Sequence, residues 1–170
     1  SALLAAEAGY QSAIMAPTQI LAEQLYLNFT RWADRYGRPC IEPPHGELFG
    51  IDLTTGEIAW RVPLGTLEDD YGEVGKDVGA TNIGPSLATR SGLLFIGATA
   101  DERFRAFDQE TGELLWQAKM SASGVAGPMT YIGRDGRQYV VIAAGGGGKN
   151  GTKSGDAYMA FALPDEKAEK

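Results

Sequence analysis

One eleven-residue pattern occurs twice with the same internal spacing, and it restricts what this chain can fold into. Gly50-Ile51-Asp52-Leu53-Thr54-Thr55-Gly56-Glu57-Ile58-Ala59-Trp60 is echoed by Ala106-Phe107-Asp108-Gln109-Glu110-Thr111-Gly112-Glu113-Leu114-Leu115-Trp116. In both, Asp is followed by Thr-Gly-Glu and then by Trp eight residues after the Asp. The pattern reads as a tight hairpin. The Asp carboxylate can accept backbone amides two residues on, and the Gly supplies the positive φ that such a turn needs. The outgoing strand delivers a large indole at a fixed place, where it can pack on a neighbouring sheet. Two such units in one register indicate a repeated β element.

The intervening and following text extends the pattern: Gly79-Ala80-Thr81-Asn82-Ile83-Gly84, Gly92-Leu93-Leu94-Phe95-Ile96-Gly97-Ala98-Thr99, Pro128-Met129-Thr130-Tyr131, and Arg137-Gln138-Tyr139-Val140-Val141-Ile142-Ala143-Ala144-Gly145-Gly146. With the paired motifs, which look like tryptophan-docking motifs, residues 39–165 resemble the C-terminal part of quinoprotein dehydrogenases. These enzymes bind pyrroloquinoline quinone (PQQ), and the match is to their glucose-dehydrogenase-like branch. The resemblance implies a mainly β fold. It would be a partial β-propeller of antiparallel four-stranded blades, about two of eight, behind an N-terminal helical segment.

Strands are expected near 48–53, 57–63, 86–89, 93–99, 104–108, 113–120, 128–132, 139–144 and 158–163, separated by turn signals such as Arg134-Asp135-Gly136. They amount to the outer half of one blade, one complete blade and three strands of another. The acidic stretch 66–81 has little to bury and reads as a long loop. Residues 166–170 read as a frayed, charged tail. A partial ring leaves strand edges open, so a homo-oligomer or the missing blades are the expected partners.

Residues 1–38 show none of this pattern. Leu21, Leu25, Phe29, Trp32 and Tyr36 recur at helical spacing behind Pro17, which predicts a helix over about 18–36. The words Glu7-Ala8-Gly9-Tyr10-Gln11 and Met15-Ala16-Pro17-Thr18-Gln19-Ile20-Leu21 resemble motif Ia of a RecG-type DNA helicase. The Gly-Lys-Thr phosphate loop and the acidic metal motif of that family have no counterpart in this text, so the resemblance implies no nucleotide chemistry. The chain therefore reads as chimera-like, with a leader over 1–38 whose amphipathic helix can cover a sheet face.

The net charge of −7 argues against a nucleic-acid partner, which needs a basic face. Cys40 is the single cysteine, so no intrachain disulfide or thiolate cluster is expected. No stretch approaches the ~20 apolar residues of a membrane span. The first residues lack the basic and apolar regions of a signal peptide, which predicts a cytoplasmic location for the chain as it stands. The resemblance of the β part implies the periplasm.

For chemistry, the resemblance implies PQQ held with calcium near a propeller axis and a sugar or alcohol as substrate. The family's catalytic base and calcium ligands fall in segments without a counterpart here, so the expectation is an incomplete site that is inactive alone. Four residues are carried over as cofactor-binding candidates. Asp101 matches an acidic position that the family places near the cofactor, and Asn82 could offer its amide to a quinone oxygen. Gly146 and Gly147 belong to the loop 145–153, which resembles one at the mouth of the site; some relatives have His in place of Gly147. The duller readings are a solvated turn for Asp101, a turn cap for Asn82 and a flexible hairpin loop for the glycines. His45, the only histidine, has no second ligand nearby, and no metal-binding residue is expected. A non-catalytic chimeric β scaffold that self-associates through its open edges is the alternative.

Overall fold

A computed structural model describes residues 43–148 and 151–164. The expected leader over 1–38, with its helix at 18–36, and the tail 166–170 lie outside the described residues. Among them, the strands form three antiparallel sheets of two, four and three strands, each in sequential order. The first sheet is the hairpin β1 (Glu47–Ile51) and β2 (Ile58–Pro63). The second contains β3 (Ser86–Ala88), β4 (Leu93–Ile96), β5 (Arg103–Asp108) and β6 (Leu114–Lys119). The third contains β7 (Met129–Ile132), β8 (Gln138–Gly146) and β9 (Ser154–Phe161). This is the division expected of a partial β-propeller.

Both turns form as their sequence dictates. Asp52 Oδ1 accepts Thr54 N at 2.7 Å, and Asp108 Oδ1 accepts Glu110 N at 2.9 Å and Thr111 N at 2.8 Å. Gly56 and Gly112 take φ of +76° and +74°. A bulge follows each turn: Gly50 pairs with Trp60 and Ile51 with Ile58, while Ala106 pairs with Trp116 and Phe107 with Leu114. The extra residues, Ala59 and Leu115, fall just before each indole and re-aim it.

Trp60 shows what that aim achieves. Its Nε1 donates to Gln109 O of the second sheet's turn at 3.0 Å. A β-carbon on Gly112 would lie 2.5 Å from Trp60 Cε3, and one on Gly50 would lie 2.5 Å from Cε2. The indole is therefore clasped between a glycine of its own sheet and a glycine of the next. Trp116 differs, because β9 is the edge of its sheet and no equivalent turn follows it among the described residues. Trp116 packs edge-on against Phe104 and Phe161, with centroids 6.2 and 5.2 Å away. Gly112→Ala is expected to unfold at lower urea than Gly56→Ala. Both carry the left-handed penalty of about 1–2 kcal/mol, but nothing lies within 4 Å of a β-carbon at Gly56. Equal midpoints would show that the clasp contributes nothing.

The core lies between sheets. Leu48 and Val62 of the first sheet pack against Leu94, Ile96 and Phe107 of the second. The second sheet's other face presents Leu87, Phe95 and Phe104 to Val140, Ile142, Met159 and Phe161 of the third. Because the middle sheet is covered on both faces, β5 is buried from Phe104 to Phe107. Its alternation sends Phe104 and Ala106 towards the third sheet and Arg105 and Phe107 towards the first.

Two expectations need correction. The acidic stretch 66–81 is not a structureless loop: it contains a helical turn α1 (Glu68–Tyr71) and a 3-10 turn over Gly72–Gly75. Thr66 Oγ1 accepts Glu68 N at 3.1 Å and donates to Gly75 O at 3.1 Å, closing the excursion at its base. A loop with few apolar residues is thus ordered by polar contacts instead of burial. The glycine-rich loop is also shorter than expected. Gly145 and Gly146 belong to β8, and β9 begins at Ser154, with Gly146 paired to Ser154 after a bulge. Gly155 permits this early start, since a β-carbon there would lie 2.3 Å from Ala144 O.

Candidate functional site

Strand ends and loops of the second and third sheets bring the singled-out residues towards one another. Asn82 forms an isolated antiparallel bridge with Thr99. Around that bridge Ile83 N donates to Ala98 O at 2.8 Å and Ala100 N to Thr81 O at 3.0 Å. Thr99 Oγ1 donates to Asp101 Oδ1 at 2.5 Å. On its other side, Thr99 O accepts the Ser123 hydroxyl, and Ser123 O accepts Gly146 N at 2.8 Å. Hydrogen bonds thus link Asp101 through Thr99 and Ser123 to Gly146, with Asn82 paired beside Thr99. Gly147 follows, with its N–H donating to Thr152 Oγ1 at 3.1 Å and Lys153 O at 3.2 Å. Thr99 and Ser123, both fully buried, were not singled out from sequence. Their only signal is a small polar residue following an alanine, Ala98 or Ala122, which is too common to select them.

Asp101 begins this path, and it is not a solvated turn residue. Its side chain is 3% exposed and that of Arg105 is 5% exposed. Arg105 reaches it because β5 turns that residue towards the first sheet, and the two form a buried bidentate pair. Oδ1 also accepts Arg103 N at 3.1 Å, while Oδ2 accepts Thr66 N at 2.9 Å. Burial alone would raise the Asp101 pKa. The hydrogen bond and charge of Arg105, with the donors Thr99 Oγ1 and Arg103 N, outweigh it and hold the carboxyl below its ordinary range. Two non-glycine residues beside this hub, Ala98 and Glu102, have positive φ of 24° and 59°. Such conformations cost about 1–3 kcal/mol each and persist where surroundings over-determine them.

An outer ring of charge surrounds the hub. Asp69 of α1 accepts Arg103 Nη2 at 2.9 Å and Lys119 Nζ at 2.5 Å, and Lys119 Nζ also donates to Asp101 O at 3.0 Å. Lys153 lies 3.5 Å from Glu102. Arg103 Nη1 is buried without a hydrogen-bond partner, 3.9 Å from Asp101 Oδ2.

The arrangement binds its own groups tightly. Residues 5–140 match the protein family described as "PQQ: Glucose/ethanol/alcohol dehydrogenase, beta-propeller domain". The chain belongs to this family. Quinoprotein glucose dehydrogenase A of Acinetobacter calcoaceticus is 43% identical over 135 residues, covering 77% of this chain and 17% of that protein. The probable quinate dehydrogenase (quinone) of Xanthomonas campestris pv. juglandis is 41% identical over 145 residues, covering 82% and 18%. The solved quinohemoprotein alcohol dehydrogenase from Comamonas testosteroni superposes with a TM-score of 0.44 at 34% identity, covering 58% of this chain and 12% of that one. The chain therefore spans less than a fifth of the length of these curated quinoprotein relatives.

The residues present fit the family's ligands only in part. Among the described residues no group of three His, Cys, Asp or Glu could hold a metal ion. The Asn82 amide nitrogen donates to Ala80 O at 3.3 Å, and the Gly146 and Gly147 amides are likewise engaged within the chain. Arg103, Arg105, Lys119 and Lys153 each face a carboxylate. Their charges are thus matched within the chain.

Proposed function

We propose that this chain is a segment of a PQQ-dependent dehydrogenase that oxidises a sugar or alcohol. Its strand ends form one sector of the wall around the quinone and not a complete catalytic centre. The observation that carries this reading is the hydrogen-bonded path from Asp101 through Thr99 and Ser123 to Gly146, with Asn82 paired beside Thr99, which gathers strand ends of the second and third sheets. Asn82 and the backbone of Gly146–Gly147 are the residues that would line the quinone's side, with Asp101 behind them. A periplasmic location goes with this reading.

With PQQ and calcium added, the chain alone is expected to reduce no dye when glucose or ethanol is supplied. A glucose dehydrogenase truncated to lack its corresponding segment is expected to regain dye reduction when mixed with this chain. Recovery with the dehydrogenase's own segment but not with this one would overturn the reading, as would turnover by the chain alone. A second reading, a non-catalytic scaffold that self-associates, is favoured by β9, the outer strand of its sheet, and by Tyr158, which is 83% exposed on it. A monodisperse monomer in sedimentation would exclude it.

A further inference from the structure

We infer that Asp101 is a positioning residue whose object is the acidic excursion 66–76, and that it acts through the backbone N–H of Thr66. A carboxylate has about four lone-pair sites. Those of Asp101 already face five donors: Thr99 Oγ1, Arg103 N and Arg105 Nη1 on Oδ1, with Thr66 N and Arg105 Nη2 on Oδ2. Nothing is left to turn towards a ligand, and the side chain is almost wholly buried.

Four of those donors come from residues 99–105, within the same stretch of the second sheet. The fifth, Thr66, is 35 residues away in sequence and opens the excursion between the first and second sheets. Thr66 then fixes both ends of that excursion, through Glu68 N at one end and Gly75 O at the other. Leu67 N adds a second bond to Gly75 O at 2.9 Å. Arg105 thus holds Asp101, Asp101 holds Thr66, and Thr66 closes the excursion on itself. The excursion is also tied to the second sheet by the half-exposed Asp69 with Arg103 and Lys119, and exposed ion pairs hold weakly. The inner bond to Thr66 therefore decides where Asp69, Asp70 and Glu73 stand over the strand ends. Only the consequence for a bound quinone rests on the function proposed above.

The test is amide hydrogen exchange on the full chain. Asp101→Asn/Arg105→Gln removes the hub without stranding a buried charge. Peptides covering 66–76 are expected to exchange faster by about tenfold or more, while β8 and β9 keep the wild-type rate, because local opening is read separately from global unfolding. Asp69→Asn, which loosens only the outer anchor, is expected to accelerate the same peptides by less. Unchanged protection over 66–76 in the double variant would overturn the inference. So would equal acceleration in all sheets, which would make Asp101 a general stability element. If the double variant fails to fold, Thr66→Pro removes the N–H that Asp101 receives together with the hydroxyl, and Thr66→Val, which removes the hydroxyl alone, is its control. Faster exchange over 66–76 in Thr66→Pro than in Thr66→Val supports the inference, and equal rates overturn it. Failure of the chain to complement a truncated dehydrogenase would leave this result standing.

Discussion

Phe104→Ala is expected to lower the unfolding free energy by about 3–5 kcal/mol, the range for deleting a fully buried aromatic ring. Phe104 is wholly excluded from solvent in the cluster where the second and third sheets meet. Phe95 stacks on it at 5.9 Å, Phe161 lies at 5.5 Å and Trp116 stands edge-on at 6.2 Å. Truncation removes the one ring that touches all three, and the neighbours come from different strands that cannot close the gap together. Domains of this size are stable by about 5–15 kcal/mol, so the loss is a large fraction of the total. Urea titration followed by circular dichroism reads the effect. Leu115→Ala, on the half-exposed face of β6, is expected to stay within about 0.5 kcal/mol of wild type. A Phe104→Ala loss below about 1 kcal/mol would mean that the sheets are not packed through this ring.

Arg105→Met is expected to cost a similar about 3–5 kcal/mol, for an electrostatic reason. The methionine fills much of the space, but the Asp101 carboxylate is left buried without its countercharge. Asp101→Asn/Arg105→Met is expected to recover most of the loss, because an uncharged pair has no desolvation debt. The pH dependence separates this from lost packing. In the wild type the Asp101 pKa lies below its ordinary value, so the pair's contribution is fully present above the ordinary value and is lost as pH falls from there through the depressed folded-state value. In Arg105→Met the stranded carboxyl takes up a proton more readily. The gap between wild type and Arg105→Met is therefore expected to narrow between about pH 7 and pH 4. A gap that is constant with pH would assign the loss to packing.

How far the sequence disclosed this structure depends on the range of each interaction. The hairpins at Asp52 and Asp108 were legible because every group they need lies within five residues. The three-sheet division followed from them and from the spacing of the apolar runs. The hub at Asp101 was not legible. Asp101-Glu102-Arg103 reads as a charged surface run, and only the turn at Glu102, with its positive φ, sends Arg105 back towards the carboxylate. The Thr66 contact spans 35 residues and has no periodic signature. The helical turns within 68–75 were missed for the same reason: backbone and hydroxyl bonds order them, and these leave no hydrophobic period. Asn82 was read as either a ligand contact or a turn cap, and its amide does bond Ala80 O locally.

The indole clasped between Gly50 and Gly112 has a consequence for how such a chain can change over time. An aromatic plate with a bare hydrogen on either side works as a spacer of fixed thickness, and it sets how far apart successive layers stand. A methyl on either glycine would act as a shim, altering the angle at which every later layer is laid down. The two glycines and the tryptophan between them should therefore drift together or not at all.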